Sequence, residues 1–441
     1  MSLRTPPTVQ KLQTALHAKA KGEPAFRFYA LYDKVYREDV LAHAYARCRA
    51  NRGAPGVDGE TFAAIESAGL ERWLADLARE LKEKAYRPEA VKRVWIPKPN
   101  GKLRPLGIPT IRDRVVQQAL LLVVGPIFEA DLQGEQFAYR PDRSALDAVQ
   151  AVHRLVNTGH TEVVDADLSG YFDSIPHGPL MKSLARRISD GAVLRLVKMW
   201  LEAPVEETDE RGRTRRTRRN RETRRGTPQG APISPLLANL YMRRFVLGWK
   251  TLGHERRLDA HIVNYADDFV LCCRGTAREA DRAMRRMMRS IGLTVNEEKT
   301  RIRRFPDETV DFLGYTIGRC YSPRTGGAYL GMRPSKTSMQ RVVRTVSTLT
   351  GRSTLWRDTR DLVGDLNRLL RGWANYFSLG TVSRAYRAVD AHVTTRLRRW
   401  LCCKHKQPGR GTARCPDEHL YATYGLVRLS VLKRRLPWAN A

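Results

Sequence analysis

"HIVNYADDFVLCC", residues 261–273, carries two short apolar runs on either side of a polar centre. Apolar, β-favouring arms around a short polar break predict a hairpin with Asp267 and Asp268 at its tip. Two adjacent carboxylates in apolar surroundings raise each other's pKa, which is costly unless something positive faces them. A lone pair of aspartates would be answered by a lysine or arginine in an ordinary ion pair. A second acidic strand end changes that reading. "TEVVDADLSGYFDSIPH", residues 161–177, begins as a strand at Val163 and Val164 and runs into Asp165 and Asp167. Carboxylates from two strand ends suit a pair of magnesium ions about 3.5 to 4 Å apart, one activating an attacking hydroxyl and the other steadying a leaving pyrophosphate. The chemistry so implied is nucleotidyl transfer.

Outward from these segments, residues 91–110, "VKRVWIPKPNGKLRPLGIPT", read as a strand, a tight turn and a second strand. Residues 113–130 read as a helix, and "SIPH" offers a cap and an early proline for the helix that follows the first acidic strand. "GTPQGAPISPLLANLYM" passes from a Gly/Pro loop into a helix. Residues 211–225, "RGRTRRTRRNRETRR", have no apolar face and predict a flexible solvated loop, either a plain insertion or a phosphate contact. In "DLVGDLNRLLRGWANYF", Leu362, Leu366, Leu369, Leu370, Trp373 and Phe377 recur at helical spacing. Strands mixed with helices predict an α+β chain. Its expected parts are an N-terminal helical extension over 1–60, a core over 61–329 and a helical region over 330–441.

The chain has 441 residues, 42% of them apolar, enough for a large core. Lys plus Arg total 78 against 46 Asp plus Glu, a formal charge of +32. That surplus points to a polyanionic partner. No apolar run reaches the roughly 18 to 20 residues of a membrane span, and no signal peptide opens the chain, so no membrane role and an intracellular setting are expected. The seven cysteines show no spacing of a disulfide framework.

Beyond single motifs, the chain resembles the group II intron-encoded reverse transcriptases and maturases. The resemblance rests on blocks in the family's order: "GAPGVDG", "RVWIPKPNGKLRPLGIPTIRDRVVQQAL", "FAYRPDRSALDAV", "DADLSGYFDSIPH", "GTPQGAPISPLLANLYM", "YADD", "LTVNEEKT", "DFLGYTI" and "LLRGWANYF". It implies a right-hand polymerase, with fingers and an antiparallel palm sheet followed by a helical thumb and maturase region. It also implies RNA-directed DNA synthesis, binding of the intron RNA as a ribonucleoprotein, assistance to splicing and copying of the intron during retrohoming. An RNA template, a DNA primer or target and dNTPs are the implied partners. Two Mg2+ ions, replaceable by Mn2+, are the implied cofactors.

Residue by residue, the resemblance makes Asp167, Asp267 and Asp268 the catalytic metal ligands, with the Leu168 carbonyl completing one shell. Lys98 and Arg104 match triphosphate contacts, a point charge and a bidentate fork. Phe172 matches the ring under the sugar that excludes a ribose 2′-hydroxyl, and Gln229 the residue beside the incoming nucleotide. Ordinary core packing is the plainer role for Phe172. Asp165 and Asp173 fit turn or capping roles better than metal binding. Position 231 departs from the residue most often found in the family, glycine; a loop that needed a positive φ there would strain Ala231, and a subfamily that tolerates alanine is the other account. In the C-terminal part, "RLRRWLCCKHK" interleaves Arg398, Arg399 and Lys404 with Trp400, a mix suited to phosphate contact and base stacking, and Arg371 in "LLRGWANYF" joins them as an RNA-binding candidate. A plain amphipathic helix is the competing account. The members resembled are those without the C-terminal cysteine-paired nuclease, which leaves the origin of a primer open. Two other functions compete: a splicing-only RNA-binding maturase, against which the acidic cluster argues, and a domesticated reverse transcriptase of phage defence or repair.

Overall fold

A computed structural model describes residues 3–97, 101, 103–209, 213–322, 324–408 and 414–432. Lys98 lies outside them. The strands, in chain order, are β1 (Val91–Pro97), β2 (Leu103–Ile108), β3 (Glu162–Asp167), β4 (Val205–Thr208), β5 (Thr214–Thr217), β6 (Ala260–Tyr265), β7 (Asp268–Cys273), β8 (Arg301–Arg304), β9 (Val310–Phe312), β10 (Tyr315–Tyr321) and β11 (Ala328–Pro334). They form three sheets of order β2-β1-β4-β5, β6-β7-β3-β8 and β11-β10-β9, set among helices, so the α+β expectation holds.

The chain divides into two compact units. The first comprises Met1–Ser144, Ala166–Phe269 and Arg278–Thr300. Its central helix, Ile111–Glu129, is apolar on nearly every side and buried along its length, as a helix wrapped by others must be. Thr110 caps it, accepting from the Asp113 amide. β1 and β2 pair antiparallel from Lys92↔Ile108 to Pro97↔Leu103. Another helix, Ser234–Thr251, buries Leu237, Tyr241, Phe245 and Trp249.

The arginine-rich run is largely exposed, as its composition predicts, but it is not a loop. It contains β5, paired antiparallel with β4, and a short helix, Arg219–Thr223. Register explains the difference, because Glu206 faces Arg216 and Glu207 faces Arg215 across the pair, and the Glu206–Arg216 carboxylate and guanidinium meet at 2.7 Å. Opposite charges directly across a ladder stabilise it, whereas a run read in isolation shows only repulsion.

The second unit comprises Ala145–Asp165, Val270–Ala277 and Arg301–Ala441. β10 and β11 pair antiparallel along seven residues each, from Tyr315↔Pro334 to Tyr321↔Ala328. Three helices follow: Lys336–Leu349, Thr359–Tyr376 and Ser383–Lys404. Val342 and Val346 from the first, Leu362, Leu366 and Leu370 from the second and Val389, Val393, Leu397 and Trp400 from the third form one core. The leucine spacing read from the sequence is therefore the buried stripe of the middle helix.

Candidate active site

The hairpin forms where the apolar pattern places it, β6 and β7 flanking Ala266 and Asp267. Ala266 takes a left-handed φ of 58°, and the Asn264 side-chain amide donates to its carbonyl at 2.8 Å, closing the turn from within. The free edge of β6 is held as well. The Asn264 amide donates to the Glu135 carbonyl at 2.8 Å, and the Phe137 amide donates to the Asn264 carbonyl at 2.9 Å. Arg140 fixes that neighbouring loop by donating to the Gln133 and Gln136 carbonyls at 2.6 and 2.8 Å, with Glu129 as its ion-pair partner. Beneath the tip, the Phe269 ring packs on Phe245 at 5.5 Å between centroids, and the Trp249 indole donates to the Ala260 carbonyl at 2.8 Å. A tip so anchored has little freedom left. Asp267 is half-buried and Asp268 exposed.

Asp167 ends β3, the strand next to β7 in the sheet order. The end of β3 from Ala166 and the start of β7 as far as Phe269 lie in the same compact unit, so all three aspartates belong to it. The main chain of Asp167 is clamped from "LTVNEEKT": its carbonyl accepts from the Asn296 amide at 2.8 Å and its amide donates to the Thr300 hydroxyl at 3.4 Å. One oxygen of its carboxylate accepts from the Asn296 side chain at 3.1 Å and from the Lys299 ammonium at 3.0 Å. Leu168 continues as a bridge partner of Val295, and the Ser169 amide donates to the Thr294 carbonyl at 2.9 Å. The sequence reading missed Asn296 and Lys299. Both lie in the block "LTVNEEKT" that carries part of the family resemblance, but each is about 130 residues from the aspartate it touches, so the block alone did not assign them to the site.

A third element brings the nucleotide candidates together. The loop before the helix Ser234–Thr251 is zipped to the turn after β3: the Thr227 amide donates to the Phe172 carbonyl at 2.8 Å, the Gly226 amide to the Ile175 carbonyl at 2.9 Å, and the Gln229 side-chain amide to the Asp173 carboxylate at 3.4 Å. On its other side the Gly107 amide in β2 donates to the Gln229 carbonyl at 2.6 Å. Gly230 makes this approach possible. Its φ is 109°, and a Cβ there would meet the Gly107 carbonyl oxygen at 2.6 Å. The positive φ therefore falls on Gly230 and not on Ala231, so the feared strain at position 231 does not arise. Half-buried Gln229 is thus bonded to β2, which carries exposed Arg104, and half-buried Phe172 is bonded to the same loop through Thr227. Tyr139, from "FAYRPDRSALDAV", completes the neighbourhood: burial first, then the negative charge of Asp267, hold its hydroxyl above the usual tyrosine range, while Arg104 opposes them.

Asp167, Asp267 and Asp268 offer only oxygen donors, the kind hard divalent cations take, and Lys299 already presents positive charge to Asp167. The residues present fit such ions.

The C-terminal candidates separate. Arg371 and Arg399 are exposed. Arg398 is engaged within the protein, donating to the Cys415 carbonyl at 2.8 Å and pairing with Asp417. The Lys404 ammonium donates to the carbonyls of Leu355 and Arg357 at 3.0 and 2.6 Å. Trp400 is 2% exposed and its indole donates to the Thr354 hydroxyl at 3.0 Å, so it is a core residue and offers no face to a base. Its phase explains this, since it lies on the Val393, Leu397, Leu401 stripe.

Residues 96–317 match the family described as reverse transcriptase (RNA-dependent DNA polymerase), and residues 339–415 match the group II intron maturase-specific domain. The chain belongs to the group II intron reverse transcriptase and maturase family. That family membership makes it an RNA-directed DNA polymerase with the reverse transcriptase fold and nucleic acid as partner. It is 34% identical to Protein YkfC of Escherichia coli (strain K12) over 70% of this chain and 88% of that one. It is 31% identical to the group II intron-encoded protein LtrA of Lactococcus lactis subsp. cremoris over 51% of this chain and 36% of LtrA. With a putative COX1/OXI3 intron 1 protein of Saccharomyces cerevisiae it shares 26% identity over 85% of this chain and 48% of that protein. The chain thus spans half or less of the length of the latter two. Among the described residues no helix is long and apolar enough to cross a membrane.

Proposed function

We propose that this reverse transcriptase copies RNA into DNA at Asp167, Asp267 and Asp268, and that the same chain binds its intron RNA, assists splicing and copies the intron during retrohoming, in a bacterial cytoplasm and on its nucleoid. In this reading fingers and palm lie within 61–329 and the thumb and maturase region within 330–441. What supports it is that Asp267 and Asp268 stand at an anchored hairpin tip, that Asp167 ends the neighbouring strand, and that the loop carrying Gln229 is hydrogen-bonded both to the Phe172 carbonyl and to β2, the strand of Arg104. Mg2+ ions held by the three carboxylates and the Leu168 carbonyl would lower the pKa of the primer hydroxyl and neutralise charge on the departing pyrophosphate. The protein's own part is positional. Phe172 closes the space beside the sugar C2′ and selects dNTPs over rNTPs. Gln229 bears on the incoming nucleotide, Arg104 and Lys98 take its phosphates, and Asn296 and Lys299 keep the Asp167 carboxylate oriented. Arg371 and Arg399 supply exposed cations for intron RNA.

The test is extension of a DNA primer annealed to an RNA template with dNTPs and Mg2+. Wild type should extend, Asp267→Ala should not, and both should bind RNA equally with a steep salt dependence. Equal extension by both proteins refutes the catalytic assignment. Splicing of the flanking intron RNA at low Mg2+, with and without protein, tests the maturase part separately.

A further inference from the structure

The long helix Ser383–Lys404 was singled out for Trp400 as a stacking residue, yet Trp400 is buried. Its polar atom and that of Lys404 both point to one short turn. Trp400 Nε1 donates to the Thr354 hydroxyl, and Lys404 Nζ donates to the carbonyls of Leu355 and Arg357, the two residues on either side of Trp356. The turn is tied down again from its far end. Arg357 pairs with Asp365 at 2.6 Å, its amide donates to the Thr354 carbonyl at 3.1 Å, and Asp358 caps the helix Thr359–Tyr376. Leu355 turns inward against the core. Trp356 turns outward and is 83% exposed, the most exposed large hydrophobic side chain among the described residues.

Large aromatic rings are seldom left in water, because each forgoes the gain from burying its apolar surface. A rigid turn that holds one out, flanked in the chain by exposed Arg352 and Arg360, is pre-organised to meet a flat apolar partner carried on a negative backbone. The net charge of +32 selects that partner as nucleic acid over protein. We infer that Trp356 is a base-stacking platform for an unpaired nucleotide of bound RNA, with Trp400 and Lys404 as positioning residues that hold the turn. This rests on the RNA-binding part of the function proposed above. Stacking on an aromatic ring is tolerant of sequence and lowers the dissociation constant by roughly five- to one-hundred-fold per base.

The experiment uses the full chain, its polymerase cleft preloaded with an unlabelled RNA–DNA template-primer, and a short single-stranded RNA containing 5-iodouridine as probe. Ultraviolet irradiation should cross-link the probe to the peptide bearing Trp356. Trp356→Ala should remove that adduct and weaken probe binding roughly five- to one-hundred-fold, Trp356→Phe should restore most of it, and an abasic probe should bind both proteins alike. The circular dichroism spectrum and melting temperature should be unchanged by either substitution, which shows that the fold is intact. Adducts found only elsewhere, or equal probe binding by Trp356→Ala, overturn the stacking role and leave the RNA-binding reading standing. Failure of wild type to bind any RNA overturns that reading and this inference with it.

Discussion

The hairpin tip at Asp267 and Asp268 and the helix Ser383–Lys404 both concentrate polar residues on an apolar frame, and the sequence recommends both as binding sites. At the tip, the frame does the holding: Asn264, Arg140 and Phe269 fix the backbone, and the carboxylates of Asp267 and Asp268 are left at or near the surface. Along the helix, the polar groups themselves do the holding. Arg398 and Lys404 satisfy main-chain carbonyls, and Trp400 fills the core. A site is favoured where the scaffold holds its backbone with other residues, as Asn264 and Arg140 do at the tip, and keeps the functional side chains near the surface. Where it must draw on them, the charge is structural.

That contrast is sharpest in a pair of substitutions. Asp268→Ala should reduce primer extension to background with little change in thermal stability, since the side chain is exposed. A drop in melting temperature as large as the loss of activity would break the distinction. Trp400→Ala should do the reverse, costing about 3 to 5 kcal/mol of stability as a buried aromatic is removed. Denaturant unfolding would show it, and a loss of RNA affinity without a stability change would return Trp400 to the binding surface.

How much of this could be read beforehand follows the range of the interactions. The hairpin was legible because its arms are local and alternate strongly with a polar tip, and the leucine stripe of Thr359–Tyr376 was legible because helical spacing is local too. The arginine-rich run was misread because its partners, Glu206 and Glu207, sit on another strand. Lys299 and Asn296 stood in the recognised block "LTVNEEKT", but their contact with Asp167 is long-range and was missed for the same reason. Trp400 is a different failure: its place on the Val393, Leu397, Leu401 stripe was in view, and the neighbouring cations outweighed it.

Gly230→Ala should come next in size. It places a Cβ at 2.6 Å from the Gly107 carbonyl and forces a side chain into φ 109°, a strain of about 1 to 3 kcal/mol. The loop carrying Gln229 should shift, so the KM for dNTP should rise more than the melting temperature falls. His177 offers a pH-dependent version of the same test. Burial holds its imidazole below the usual histidine range, outweighing the opposite pull of the Gly226 carbonyl that its Nε2 meets at 2.8 Å, so the folded loop favours the neutral ring. The unfolded chain takes up its proton near pH ~6.5 while the folded chain does not. Stability should therefore be full above that value and decline as pH falls below it, and His177→Asn should flatten this part of the melting profile. An unchanged slope would show that the ring is not the group responsible.

The smallest effect is expected at the neighbouring position. Ala231 is 3% exposed, its amide donates to the Pro228 carbonyl at 3.2 Å, and its own carbonyl accepts from Ser234 at 3.1 Å, all at an ordinary negative φ. Glycine there, the residue most often found in the family, would make the same turn and lose only the methyl packing and the restraint on the unfolded chain, about 0.4 to 1 kcal/mol. Ala231→Gly should then lower stability by that amount and leave kcat and KM unchanged. Improved activity in that variant would mean that the loop samples a positive φ at 231 during the reaction cycle, and that Gly230 alone does not carry its geometry.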